Sequence, residues 1–212
     1  MPFSLSNVVD TTHFVAREAE LAEIHARLSG DSSRRTVVLC GLGGIGKTQL
    51  CATYMKRYKE SYSAIFWLNM KDEDALKQSF AQIGRQILRA YPSTLWPSNR
   101  YTDSNLDIVV DAVKTWLSLP NNTRWLMIYD NYNNPRLPGN LDPQAIDIQQ
   151  FLPESYQGSI IITTRSSQVG IGHLIRIYKL KNMRDSLEIL SNVSKRDNLI
   201  SGKDVLRFIL QH

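Results

Sequence analysis

The stretch TVVLCGLGGIGKTQL, residues 36–50, decides the fold of this chain. Its opening run TVVLC is apolar or β-branched and predicts a short strand buried in a parallel sheet. Glycines follow at positions 41, 43, 44 and 46, and a helix is expected to begin near Thr48. The stretch therefore predicts a strand, a glycine-rich loop and a helix in immediate succession.

The segment GLGGIGKT, residues 41–48, fits the pattern G-x-x-x-x-G-K-[ST] of a phosphate-binding loop. Phosphate oxygens need backbone N–H donors at close range, so side chains must be absent where the loop meets them. The positive end of the following helix dipole adds to the attraction. We expect Lys47 to neutralise the β- and γ-phosphates and the Thr48 hydroxyl to ligate Mg²⁺. The predicted nucleotide contacts in this loop are Gly43, Gly44, Ile45, Gly46, Lys47, Thr48 and Gln49.

Two other predicted strands end in side chains that suit the same chemistry. The run WLMIYD ends in Asp130, at the carboxyl end of its strand, where open α/β sheets place their ligands. Arg165 follows the run SIIITT, where a guanidinium could reach a γ-phosphate; an ordinary exposed basic residue at a strand end is the alternative. The predicted catalytic residues are Lys47, Asp130 and Arg165, and the predicted metal ligands are Thr48 and Asp130.

Apolar runs and helical periodicity alternate along the chain. Strands are predicted at 36–40, 64–70, 124–130, 158–165 and 173–180, and helices at 17–29, from 48 to 62, at 72–91, 105–119, 182–191 and 201–210. This order predicts an α/β P-loop NTPase fold, a three-layer α/β/α sandwich around a mainly parallel five-stranded sheet. The predicted divisions are a lead-in and helix at 1–30, the nucleotide-binding domain at 31–193, and a helix at 194–212 that begins a further module.

Composition and charge limit the class of protein. Hydrophobic residues make up 42% and charged residues 21% of the chain, as in ordinary globular domains. No run is long and apolar enough to span a bilayer, and the start lacks a signal-peptide pattern, so we expect a cytoplasmic protein without a membrane partner. Cys40 and Cys51 are expected to be buried thiols.

The net charge of +5 is unevenly distributed. Residues 1–159 contain 16 basic and 16 acidic side chains, whereas residues 160–212 contain 9 and 4. A nucleic-acid footprint is one interpretation. The favoured interpretation is a solvated or partner-facing helical surface, because no aromatic residues interleave the basic ones.

Four segments, in this order, resemble the nucleotide-binding domain of STAND-class P-loop NTPases, in the NB-ARC branch, and are most similar to fungal NOD-like receptor (NLR-like) proteins. They are HFVAREAEL at 13–21, VVLCGLGGIGKTQL at 37–50, WLMIYDN at 125–131 and GSIIITTR at 158–165. The resemblance covers residues 2–193. It implies an ATP/ADP site with Mg²⁺, in which Phe14, Val15 and Arg17 surround the adenine, and Ala16 replaces the family's usual glycine. It also implies that the strand leading to Arg165 lies between the other two strands of the site.

The resemblance further implies a signalling role in innate immunity. Such proteins switch between a closed ADP state and an oligomeric ATP state, and carry effector and repeat domains as partners. The sequence departs from the pattern at Asn131, where a second acid is common, and ends before the family's next motifs, as an excised domain would. An amide cannot accept a proton, so hydrolysis is expected to be slow or absent. The alternatives are an AAA+ ATPase acting on nucleic acid and a P-loop small-molecule kinase.

Overall fold

The computed structural model describes residues 17–30, 33–91 and 105–179. Its helices are α1 (Glu18–Leu28), α2 (Lys47–Tyr58), α3 (Glu73–Ala90) and α4 (Leu106–Leu117), with short 3-10 helices at Lys59–Ser61 and Ile148–Phe151. Its strands are β1 (Arg35–Cys40), β2 (Ala64–Asn69), β3 (Trp125–Asp130), β4 (Ser159–Thr164) and β5 (His173–Arg176). The helices predicted at 182–191 and 201–210, and the predicted contacts Phe14 and Val15, lie outside the described residues.

The five strands form one sheet in the order β2-β3-β4-β1-β5. Every pairing is parallel, so the sheet predicted to be mainly parallel is wholly so. β4 lies between β1 and β3, as the resemblance implied. Because all carboxyl ends meet at one edge, the loop after β1, Asp130 at the end of β3 and Arg165 just after β4 share that edge.

Both faces of the sheet are covered, which confirms the three-layer sandwich. Alternate residues of β1 face different cores: Val38 belongs to the cluster with α3 and α4, whereas Val37 and Leu39 belong to the cluster with α1 and α2. All six residues of β3 and all six of β4 are buried, as expected for central parallel strands. Each large apolar side chain buried in this way contributes about 1.5–3 kcal/mol.

The amphipathic pattern of α3 is confirmed in detail. Four apolar residues at helical spacing are all fully buried; they are Leu76, Phe80, Ile83 and Ile87. The helix begins where Asp72 accepts a hydrogen bond of 2.8 Å from the backbone N–H of Ala75, an N-cap worth about 1 kcal/mol. Spacing and cap chemistry together therefore determined this element.

Helix α1 is held against α2 and the sheet by both apolar and polar contacts. Leu21, Ile24 and Leu28, which recur at helical spacing, are buried. His25 stacks on Tyr58 with ring centroids 3.9 Å apart, and Arg57 forms an ion pair with Glu18. The start of α1 is held close to the phosphate-binding loop by Arg17, whose Nη2 donates to Ile45 O.

The segment from 131 to 157 has more order than its content of proline, asparagine and glycine indicates. Its backbone pairs Pro135 with Ile146 in an isolated bridge, and the Tyr132 hydroxyl donates to Ile146 O at 3.0 Å. Asn134 Nδ2 donates to Asp142 at 2.8 Å. These bonds connect residues far apart in the segment, so no local sequence pattern predicts them.

Smaller differences concern element ends and the cysteines. β5 ends at Arg176 rather than at 180, and α2 ends at Tyr58 and continues as a 3-10 turn. Cys40 and Cys51 are free and buried, as predicted. No helix in the described part of the chain is long and apolar enough to cross a membrane.

Candidate nucleotide-binding site

The glycines of the loop between β1 and α2 meet different structural requirements. Gly44 and Gly46 have φ values of 71° and 94°, in the left-handed region that strains other residues. A Cβ added at Gly43 would lie 3.0 Å from Nη2 of Arg165, and one at Gly41 would lie 2.6 Å from Ile177 O. The loop thus needs glycine both for its backbone path and for close approach by its neighbours.

Lys47 is the first residue of α2, and its side chain folds back over the loop. Its Nζ donates to Gly41 O at 2.7 Å and to Leu42 O at 2.9 Å. Burial, and then the positive charge of Arg165, hold the pKa of Lys47 below its usual range. A phosphate bound beside Lys47 would favour the charged form of its amine.

Asp130 lies behind the start of α2 and is almost fully buried, at 4% exposure. Its carboxylate accepts hydrogen bonds from Thr48 Oγ1 at 3.0 and 3.1 Å and from Thr163 Oγ1 at 2.6 Å. Hydroxyl and carboxylate oxygens are the hard donors that Mg²⁺ prefers. Thr48 and Asp130 therefore fit a magnesium ion, which would neutralise phosphate charge beside the loop.

A cleft of about 270 Å³ opens in front of these residues. Its lining combines the loop with residues that follow β3 and β4: Gly43, Gly44, Ile45, Gly46, Lys47, Thr48, Gln49, Asn131, Asn133 and Arg165. None of these described lining residues is Asp or Glu. The cleft therefore presents cations, amides and backbone donors, which suits a polyanion such as a nucleoside triphosphate.

Asn131 adopts a left-handed backbone with φ 71°, a conformation that Asn tolerates better than most residues. Its N–H donates to Thr163 Oγ1 at 3.0 Å, and that hydroxyl in turn donates to Asp130. Thr163 and Asn133 belong to the site although the sequence did not single them out. The TT pair before Arg165 was a usable signal for Thr163, since a buried hydroxyl at a strand tip needs a partner.

Arg17 lies beside the loop, where the sequence predicted a contact to the base. It is 9% exposed, and its Nη2 donates to Ile45 O at 2.9 Å and to Tyr178 O at 3.1 Å. Its Nη1 pairs with Glu20. The guanidinium is therefore bonded to other groups of the protein. A direct contact between Arg17 and the base remains a prediction.

A larger cavity, of about 390 Å³, lies at the opposite edge of the sheet, beside the amino ends of the strands. Its two guanidinium groups bind backbone carbonyls: Arg35 donates to Ser29 O, and Arg124 donates to Ser61 O and Glu60 O. The predicted site residues Lys47, Asp130 and Arg165 do not line this cavity. The smaller cleft is therefore the functional candidate.

The comparison with protein families agrees with this geometry. The profile described as AAA ATPase domain matches residues 13–142, more than half of the chain. This chain belongs to the AAA ATPase domain family. The match includes the phosphate-binding loop and Asp130, and it shows that this AAA ATPase domain is a nucleotide-binding domain.

Individual relatives of the AAA ATPase domain are distant. A "Nucleotide-binding leucine-rich repeat (NLR)-like protein" of the fungus Hyaloscypha variabilis is 27% identical over 166 residues. The alignment covers 72% of this chain and 16% of that protein, so the chain spans a small part of the relative's length. The likeness agrees with the NLR-like resemblance of the motifs.

Solved structures show the same fold. Cdc6p of Pyrobaculum aerophilum superposes with a TM-score of 0.53 at 15% identity, over 91% of this chain and 52% of that one. The ORC2 protein of Aeropyrum pernix, solved as ADPNP-ADP complexes, has a TM-score of 0.50 at 17% identity, over 87% and 53% of the two chains. This chain thus spans about half the length of each, and at these identities the likeness concerns the fold alone.

Proposed function

We propose that this AAA ATPase domain is the regulatory ATP/ADP-binding module of an NLR-like signalling switch. The observation that carries the proposal is the position of Arg165, which lies over Gly43 of the phosphate-binding loop and lines the same cleft as Lys47. Arg165 is exposed and follows β4, next to the β3 strand that ends in Asp130. A group in this position can read the terminal phosphate of a bound nucleotide.

The chemistry of the switch follows from the difference between ATP and ADP. The γ-phosphate adds charge and acceptor oxygens that Arg165 can bind, and ADP lacks them. A ligand shifts a conformational equilibrium only by its differential affinity for the two states. Contact with Arg165 in the ATP complex alone would supply that difference and favour self-association.

Hydrolysis by this site is proposed to be slow or absent. Asn131 occupies the position after Asp130, and the described lining of the cleft contains no carboxylate. Asp130 itself is buried and accepts hydrogen bonds from two hydroxyls. The site therefore binds and orients ATP without a group placed to take a proton from water.

The relative from Hyaloscypha variabilis supports a signalling context, and the chain corresponds to 16% of that protein. Effector and repeat domains as partners, a cytoplasmic location and a role in innate immunity remain part of the proposal. Most of the basic residues behind the nucleic-acid alternative lie outside the described ranges. The loop at 131–157 has Arg136 as its only basic residue, which gives the kinase alternative little support because such enzymes usually close arginine-rich lids over the phosphates.

Binding and shape measurements test the switch directly. ATP and ADP affinities would be measured by calorimetry with Mg²⁺ present, and the hydrodynamic radius with each nucleotide by light scattering. We expect the two nucleotides to differ in affinity and the ATP complex to be larger or oligomeric. Equal affinities with an unchanged radius would contradict the proposal.

Arg165→Ala is expected to weaken ATP binding by about 10-fold and ADP binding by much less. The physical reason is that a charge-assisted hydrogen bond to the γ-phosphate exists only with ATP. Calorimetry with both nucleotides checks this, and Arg89→Ala, which removes an exposed arginine in the last turn of α3, is the matched control. Equal loss for both nucleotides would remove the sensing role of Arg165.

Asn131→Asp is expected to raise the single-turnover rate of ATP cleavage, by up to about 100-fold, because it restores a proton acceptor beside Asp130. Aspartate tolerates the left-handed backbone of this position as asparagine does. The rate would be followed by separating bound ATP from ADP over hours. Asn133→Asp adds the same charge to the same cleft. An equal acceleration there, or none in either variant, would contradict the role given to position 131.

A further inference from the structure

The topology of the sheet gives the nucleotide-binding cleft two unlike sides. β1, which leads into the phosphate-binding loop, is flanked by β4 on one side and β5 on the other. On the β4 side lie Arg165 and, one strand further, Asp130, the groups suited to the terminal phosphate and its metal. A nucleotide whose phosphates extend toward that side leaves its nucleoside on the β5 side.

The chain that leaves β5 runs directly against the start of the phosphate-binding loop. The N–H of Ile177 donates to Cys40 O at 2.7 Å, and Ile177 O would lie 2.6 Å from a Cβ added at Gly41. Tyr178 is the next residue. Its backbone is therefore placed beside the loop by the sheet itself.

Arg17 fixes this position further. One nitrogen of its guanidinium, Nη2, bridges the loop carbonyl of Ile45 and the carbonyl of Tyr178, at 2.9 and 3.1 Å. Arg17 has a left-handed backbone with φ 74°, a conformation that is strained for a non-glycine residue. Strain of this kind persists where surrounding contacts hold a residue in a functional position.

The side chain of Tyr178 differs from its surroundings in exposure. Tyr178 is 66% exposed, whereas Ile177 before it is 3% exposed and Arg17 is 9% exposed. A large aromatic ring that is open to solvent, on a backbone held at the phosphate-binding loop, offers a flat apolar surface. Such surfaces stack with any nucleobase, because every base has a flat π-face.

We infer that Tyr178 is the stacking platform for the nucleobase, and that Arg17 is a positioning residue that holds Tyr178 at the phosphate-binding loop. The inference rests on the proposed function, since it presumes a nucleotide in the cleft. It gives the bound nucleotide a direction, with the base beside β5 and the γ-phosphate beside β4. It also assigns the base contact to an aromatic ring that the sequence did not indicate.

The experiment compares Tyr178→Ala and Tyr178→Phe with the unmodified chain, using ATP and inorganic tripolyphosphate as ligands in calorimetric titrations. Because a base–aromatic stack contributes to nucleotide affinity, Tyr178→Ala should weaken ATP binding by about 10-fold. Tripolyphosphate has no base, so its affinity should be unchanged. Tyr178→Phe keeps the ring and should bind ATP as the unmodified chain does.

Tyr156→Ala is the matched control, because it removes an exposed tyrosine, 85% accessible, that precedes β4 at the opposite edge of the sheet. Unchanged ATP affinity in Tyr178→Ala would overturn the inference and leave the proposed function standing. Equal weakening of ATP and tripolyphosphate would also overturn it, since the residue would then support the loop rather than the base. An unmodified chain that binds neither ligand would overturn both the inference and the proposed function.

Discussion

Lys47→Ala is expected to reduce the affinity for ATP and for ADP by at least about 100-fold. Lys47 supplies a cation within the cleft, and charge-assisted hydrogen bonds to phosphate are about twice as strong as neutral ones. The substitution also removes the donor that binds Gly41 O and Leu42 O, so the loop loses two stabilising hydrogen bonds. Both effects act in the same direction, which makes this the largest loss of binding expected from one side chain.

Calorimetry or equilibrium dialysis with both nucleotides measures the loss. Lys59→Ala is the matched control, because it removes an exposed lysine from the 3-10 turn after α2 without touching the loop. Its affinity should equal that of the unmodified chain. Retained nucleotide affinity in Lys47→Ala would show that the cleft in front of α2 is not the nucleotide site.

Asp130→Asn is expected to abolish the strengthening of ATP binding by Mg²⁺. The amide is uncharged, and a neutral oxygen is a far weaker ligand for a hard divalent cation than a carboxylate. The amide also replaces one acceptor oxygen with a donor group, opposite two hydroxyls that now donate to Asp130. Unsatisfied buried polar groups cost about 1–3 kcal/mol each, so the melting temperature should fall as well.

The measurement is the ATP affinity of each variant with Mg²⁺ and with a chelator. In the unmodified chain the two values should differ, and in Asp130→Asn they should converge. Asp111→Asn, on the exposed side of α4, removes one carboxylate elsewhere and should keep the difference. A Mg²⁺ effect that persists in Asp130→Asn would place the metal on other ligands.

The sequence predicted the parts of this site that depend on local chemistry. The phosphate-binding loop requires glycines in left-handed conformations and a helix start, and both requirements are visible in residues 41–48. Asp130 and Arg165 were found because each follows an apolar run, and parallel strands bring their carboxyl ends to one edge. The alternation of strands and helices was enough to predict the three-layer sandwich.

Other features depend on contacts between distant parts of the chain. Thr163 shares Asp130 with Thr48 only because β4 lies beside β3 in the sheet. The order in the segment from 131 to 157 comes from bonds such as the one between Tyr132 and Ile146, which no periodicity encodes. The ends of α2 and β5 also differed from prediction, since tertiary packing sets where a regular pattern stops.

The sequence by itself determined that this chain has a phosphate-binding loop in an α/β sandwich. Glycine spacing and hydrophobic periodicity involve only residues that are close together in the chain. The tertiary structure decided how the residues around that loop are arranged. Arg17 is buried and bridges Ile45 O and Tyr178 O, a contact between residues 161 positions apart in the chain. Only the order of strands around β1 places Arg165 on one side of the loop and Tyr178 on the other. That arrangement follows from the packing of the whole sheet, which is a property of the fold and of no single segment.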